Sequence, residues 1–206
     1  MNRAKIKNDA KKMIEGNLWT ILKPMLIVMV VLGFVNIISE KVLQDTFAGT
    51  MCSTLLSLAV MPLSYGLDVF ILKYVRKEQV DYDEIFKHYS KFVPIFLLGL
   101  LMSIFIGLWS LLFVIPGIIA AISYSQAMFI MIDGEEEPGA CIKKSKEMMY
   151  GYKWDYFVFM LSFFGWYLLC ALTFGIALVY VAPYVSVSEA LYYEELSYYS
   201  QPRKTI

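Results

Sequence analysis

Residues 92–132 constrain what this chain can become more than any other stretch. They lie between Lys91 and Asp133, and across 41 positions they contain no Asp, Glu, Lys, Arg or His. Nearly all are apolar, and the run is interrupted once, at Pro116-Gly117. As one helix the run would extend on the order of 60 Å at about 1.5 Å per residue. A bilayer core is about 30 Å thick, so the run is long enough to cross twice. It reads as a transmembrane hairpin with its bend at Ile115-Pro116-Gly117. Composition agrees: 59% of the chain is hydrophobic and 17% charged, against about 45–50% and about 25% for water-soluble domains.

The same reasoning divides the remaining apolar segments into four more crossings. The expected set is about 18–38, 50–74, 92–114, 116–132, 154–172 and 175–193. The predicted fold is therefore all-α: a polytopic membrane protein of six transmembrane helices, arranged as three hairpins in a single integral membrane domain, 1–206. The basic start is like that of a secretory signal. The apolar stretch after it is too long for one, however, and holds Lys23 and Pro24, so it is expected to stay as the first crossing.

An amphipathic cytoplasmic surface helix is expected before each hairpin. Residues 2–16 place Ile6, Ala10, Met13 and Ile14 at helical spacing. Arg3, Lys5, Lys7, Lys11 and Lys12 would face the lipid head groups. Residues 75–91 carry Asp81 and Glu84 at capping-box spacing, and Ile85, Phe86 and Tyr89 would form an apolar stripe. Residues 133–153 place Cys141, Ile142, Met148 and Met149 on an apolar side. Glu40, Lys41 and Asp45 form a short polar loop, and residues 194–206 a polar tail. Of the 18 basic residues, only Lys41 falls in an outer loop of this scheme. The positive-inside rule then puts both termini in the cytoplasm. The outer loops are short, which leaves little extracellular surface.

The three units echo one another. Lys11-Lys12-Met13-Ile14-Glu15-Gly16-Asn17-Leu18-Trp19 aligns with Lys146-Glu147-Met148-Met149-Tyr150-Gly151-Tyr152-Lys153-Trp154, sharing Lys, Met, Gly and Trp. Residues 85–92 (IFKHYSKF) form a weaker third copy. Repeats of this kind build many transporters, and they also arise by duplication without a transport role.

Three runs carry a resemblance to a known family: MNRAKIKNDAKKMIEGNLW, LWSLLFVIPGIIAAISYSQAMFIMID and IKKSKEMMYGYKWDYFVFMLSFFGWYLLCALTFGIALVYVAPY. Together they resemble the uncharacterised bacterial membrane family called domain of unknown function 975, common in Firmicutes. That resemblance implies a multi-pass protein of the bacterial plasma membrane and supplies no activity, catalytic residue or ligand. The chain is also faintly similar to the membrane domain found beside some glycerophosphodiester phosphodiesterases, without their soluble catalytic domain.

Ionisable groups inside a span are costly and are functional candidates by default. Lys23, Asp68 and Glu189 each lie about five residues, or on the order of 7 Å, from the cytoplasmic end of their predicted helix. They mark a candidate polar site at the inner leaflet, in which Lys23 would pair with Asp68 or Glu189. The bland alternative is a snorkelling Lys23 with interface-exposed carboxylates. Gln126 sits among Ser123, Tyr124 and Ser125 in the fourth crossing and is read as packing glue between helices. Gly99, Ser103 and Gly107 fall on one face of the third crossing, and Gly117, Ala121 and Ser125 on one face of the fourth. These small residues are expected to close the hairpin. Trp19 and Trp154 are interfacial anchors.

No nucleophile–base pair, phosphate loop, metalloprotease motif or dinucleotide fingerprint occurs. His88, the single histidine, lies in a charged surface segment without ligand-type neighbours. Cys52, Cys141 and Cys170 have no metal or redox spacing. The expectation is a non-enzymatic membrane protein with a structural, regulatory or accessory role, with no cofactor or metal. The alternative is a small transporter, channel or exporter and immunity component. Expected partners are the bilayer itself, with anionic lipids at the cytoplasmic face, and a membrane-protein partner or a second copy. A net formal charge of zero offers nothing to nucleic acid.

Overall fold

A computed structural model describes residues 1–42 and 47–200. Asp45 and the end of the tail, 201–206, lie outside them. All regular structure among the described residues is helical. The chain packs as two compact units, one formed by residues 1–18 with 97–206 and the other by residues 19–96.

The unit 19–96 contains α2 (Leu18–Val42), α3 (Phe47–Ala59), α4 (Met61–Val75), a 3-10 segment (Tyr82–Lys91) and the start of α5 (Phe92–Leu112). α2 runs on to Val42, past the loop expected at Glu40 and Lys41. The second predicted crossing is two helices, divided at Val60 just before Pro62, which occupies the first turn of α4. There a missing N–H costs nothing, because that donor has no intrahelical partner in any case. Val28, Val35, Val60, Leu63 and Ile85 form the core, with Val31, Leu32, Leu56 and Leu67 packed on it.

The second surface helix is not α-helical. Tyr82–Lys91 winds as a 3-10 helix, which turns every three residues. The residues facing α4 are therefore Tyr82, Ile85 and His88. Tyr82 stacks on Phe70 at 6.0 Å between centroids, and His88 meets Tyr65 edge-on at 5.3 Å. Ile85 is fully buried, while Phe86 and Tyr89, expected beside it, face outward. Ile85 comes so near α4 that a Cβ on Gly66 would lie 2.3 Å from the Ile85 carbonyl oxygen. Asp81 makes no side-chain cap, and Glu84 turns instead to Lys73, so the capping box does not form.

The other unit holds α1 (Arg3–Glu15), the rest of α5, α6 (Val114–Tyr124), α7 (Ala127–Ile132), α8 (Pro138–Met148), α9 (Lys153–Leu161), α10 (Phe164–Leu172) and α11 (Leu178–Ser200). The central break comes earlier than expected, at Phe113, whose backbone is extended (φ −159°, ψ 150°). Pro116 then sits inside the first turn of α6, where proline is tolerated. Gly117 packs on Ser110 so closely that a Cβ would lie 2.1 Å from the Ser110 hydroxyl. The other small residues behave differently. Ser103 is exposed and bonds back to the Gly99 carbonyl of its own helix at 2.8 Å. Gly107 has open space around it, and Ala121 is half-buried. Gly117, unlike Gly107, makes a close approach of this kind.

Five helical stretches are long and apolar enough to cross a membrane: Leu18–Ser39, Gly49–Val75, Tyr82–Leu112, Val114–Ile132 and Lys153–Leu172. The predicted sixth, within α11, is not among them. Glu189, Glu194, Glu195 and six tyrosines dilute its hydropathy. α11 is instead the most protein-covered helix of its unit, with ten buried residues from Val181 to Leu196. A helix wrapped by protein need not present hydrocarbon on every side. α1, α8 and α10 pack on it. Tyr192 lies against Tyr156 and Phe159, at 5.0 and 4.9 Å between ring centroids. Phe163 bridges Phe159 at 5.2 Å and Tyr184 at 5.5 Å.

Candidate functional site

Polar side chains in the unit 1–18 with 97–206 gather around two interruptions of helical structure. The first lies between α6 and α7, where the ladder lapses at Ser125-Gln126. Such a lapse frees backbone groups that must find other partners when buried. The Ser145 hydroxyl from α8 takes two of them: it donates to the Ser123 carbonyl at 2.8 Å and accepts from the Gln126 N–H at 3.2 Å. Ser145 is completely buried. One side chain thus splices a broken helix.

Gln126 bonds across helices, but through its backbone. Its side-chain Nε2 donates to the neighbouring Ser125 hydroxyl at 2.9 Å, and that hydroxyl donates to the Ile122 carbonyl at 2.9 Å. The Gln126 Oε1 is buried and accepts no hydrogen bond. The Tyr156 hydroxyl on α9 lies near the Ser125 and Gln126 side chains and within electrostatic reach of Glu189. Glu189 is half-buried on α11. Of the sequence candidates, Gln126, Ser125 and Glu189 therefore share one neighbourhood, with Tyr156 between them.

The second interruption divides the fifth apolar stretch, at Ser162-Phe163 between α9 and α10. Lys7 of α1 fills it. Its ammonium donates to the Ser162 hydroxyl at 2.9 Å and to the Ser162 carbonyl at 3.3 Å, and lies 4.4 Å from the centre of the Phe163 ring. A cation there suits the negative end of α9. Burial pushes the Lys7 ammonium below its usual value. Arg3 reaches Asp155 at 3.3 Å, and the Tyr192 hydroxyl donates to the same carboxylate at 3.3 Å. Ile6, Ala10 and Ile14 are buried. The apolar face of the expected surface helix is covered by protein, and Arg3 and Lys7 dock the helix.

In the same unit the Tyr193 hydroxyl donates to Asp133 at 2.6 Å. Lys144 binds Glu135, holding that carboxyl below and its own ammonium above their ordinary values. The Cys141 thiol is buried, donates to the Glu135 carbonyl at 3.2 Å, and is pushed up to about 11 by burial. A thiol so raised is not a nucleophile near neutral pH.

The unit 19–96 holds the other two candidates. Lys23 is exposed and makes no ion pair with Asp68 or any other described side chain of its unit. Asp68 is half-buried and engaged by other groups. The ionic cluster of this unit centres on Glu84, with Lys73 at 2.9 Å, Lys87 at 3.5 Å and His88 at 3.5 Å. His88 is thus a packed residue beside Tyr65 rather than a free surface one. Trp19 and Trp154 are 66% and 73% exposed, positions open to a membrane interface. Among the described residues no group of three or more His, Cys, Asp or Glu is placed to hold a metal ion.

A family described as protein of unknown function (DUF975) matches residues 1–123 and 111–200. No curated protein and no solved structure matches. The fainter similarity to the membrane domain of glycerophosphodiester phosphodiesterases is therefore not carried by any comparison.

Proposed function

The chain belongs to the DUF975 family, and from that premise we propose that it is a non-enzymatic, multi-pass integral protein of the bacterial plasma membrane with a structural, regulatory or accessory role. One observation carries the membrane reading. Leu111, Leu112, Phe113, Val114 and Ile115, at the turn between α5 and α6, are each between 65% and 85% exposed. Five consecutive large apolar side chains facing outward are a liability in water and an ordinary surface in lipid. α11 serves as the sixth crossing, shielded by its neighbours, so that three helical hairpins place both termini in the cytoplasm. Anionic lipids at that face, and a membrane-protein partner or a second copy, are the partners of this reading.

Single cysteines in an otherwise cysteine-free chain test it, at Asn2, Phe113, Glu136, Phe174 and Ser200. In intact cells a membrane-impermeant maleimide should label Phe113→Cys and Phe174→Cys and leave the other three unlabelled until the membrane is opened. Labelling of Asn2→Cys and Ser200→Cys from opposite sides would leave an odd number of crossings and overturn the arrangement. A second reading, a small transporter, channel or exporter component, draws support from the Gln126, Tyr156 and Glu189 neighbourhood. There a buried amide oxygen lacks a donor, and among the described residues no cation faces the carboxylate.

A further inference from the structure

A cavity of about 250 Å³ opens along α6, lined by Trp109, Pro116, Ile119 and Ala120 together with Lys146 and Lys153. The walls are hydrocarbon and aromatic, and the charge is confined to two ammonium groups. Among the described residues neither Lys146 nor Lys153 forms an ion pair or hydrogen bond. Their ammonium groups are thus unneutralised, unlike those of Arg3, Lys7 and Lys144 in the same unit. Lys153 opens α9, whose N-cap residue Tyr152 supplies no side-chain cap. The positive end of that helix dipole therefore adds to the two lysines rather than being neutralised. Asp155, the acidic residue of the same turn, is already held by Arg3 and Tyr192.

An occupant that carries both an anionic group and an apolar part matches this lining. The cavity is smaller than a pocket enclosing a drug-sized molecule. It therefore suits a headgroup with its chains running on outside, and outside it Ile115 and Ile118 present their side chains outward. Basic pockets between transmembrane helices are suited to anionic headgroups. We propose that this cavity is a binding site for one anionic phospholipid, its phosphate held by Lys146 and Lys153 and an acyl chain lying along Trp109, Pro116 and Ile119. A simple surface attraction would be spread over every exposed lysine of α8. The cavity instead selects Lys146 and leaves out Lys143, which is also exposed on that helix. The proposal rests on the membrane reading above and narrows its lipid partner to a chemical class and a place.

The test is native mass spectrometry of the purified full chain in detergent, titrated with palmitoyl-oleoyl phosphatidylglycerol or with phosphatidylcholine of the same chains. Wild type should retain one phosphatidylglycerol at least roughly tenfold more tightly than phosphatidylcholine, since each lysine near an anionic headgroup contributes appreciably. Lys146→Gln with Lys153→Gln should abolish that preference. Lys143→Gln and the paired Lys146→Arg, Lys153→Arg variant should keep it. Equal retention of the two lipids by wild type, or an unchanged preference in the double glutamine variant, would overturn the site. Displacement of the lipid by millimolar inorganic phosphate would also overturn it, because the site would then recognise phosphate without its chains. Carbonate extraction of the same membranes separates the two failures: a chain released by carbonate defeats the membrane reading, whereas an embedded chain without lipid preference defeats only this site.

Discussion

Ser145 holds a helix break together with one hydroxyl, and its burial makes that hydroxyl hard to replace. Ser145→Ala would leave the Ser123 carbonyl and the Gln126 N–H without partners in a site closed to water. An unsatisfied buried polar group costs about 1–3 kcal/mol, so the loss should reach about 2–4 kcal/mol for the pair. A drop of several degrees in the melting temperature of the detergent-solubilised chain would show it, and an unchanged melting temperature would mean that the splice carries no weight. Nothing in the sequence distinguishes Ser145 from the serines around it. Its role depends on a lapse at Ser125-Gln126 that no proline or glycine announces. The polar character of Gln126 was legible, but not that its backbone N–H, rather than its amide, would bond to the neighbouring helix. Lys23 is a contrasting case, because its exposed side chain matches the snorkelling alternative that the sequence already offered. Its position within an apolar stretch drew attention, yet a long side chain on an exposed face of α2 needs no partner.

At the scale of elements, the charged segment before α5 shows how much depends on the period of a helix. Ile85, Phe86 and Tyr89 share a face if residues repeat every 3.6 positions, and Tyr82, Ile85 and His88 do so if they repeat every three. The structure takes the second option because Gly66 lets this segment approach the backbone of α4. Ile85→Ala should therefore cost about 2–5 kcal/mol, the usual range for a large buried aliphatic cut to alanine. Phe86→Ala should stay within about 0.5 kcal/mol, as exposed substitutions do. Comparable losses at both positions in thermal unfolding would restore the α-helical pattern. Four of the six expected apolar stretches, by contrast, were legible to within about two residues, because length and absence of charge are enough to define them; the third begins earlier, at Tyr82, and the expected sixth is not among them. Their internal breaks at Val60, Phe113, Gln126 and Ser162 were not. Proline sits two or three residues after the first two, inside the following helix, and no proline marks the others.

For the whole molecule, the decisive feature is that the unit built on α11 is discontinuous in sequence. α1 belongs to it, and residues 19–96 form the other unit. Ile14 is fully buried, so Ile14→Ala should loosen α1, at a cost of about 2–5 kcal/mol. Trypsin should then cut after Lys11 and Lys12 several-fold faster than in wild type, and cleavage at an unchanged rate would show that α1 is not held by this face. The same topology has a consequence for biosynthesis. Roughly 160 residues separate the end of α1 from the start of α11. At about 5–20 residues per second, a ribosome needs on the order of ten to thirty seconds to make them. For that interval α1 has been made and its final partner has not. An amphipathic helix with an apolar stripe and five basic residues can spend the wait on the nascent bilayer surface, as its sequence predicts, and leave it when α11 arrives. The face of Ile6, Ala10 and Ile14 that protein covers in the finished chain is thus the one left uncovered during that interval.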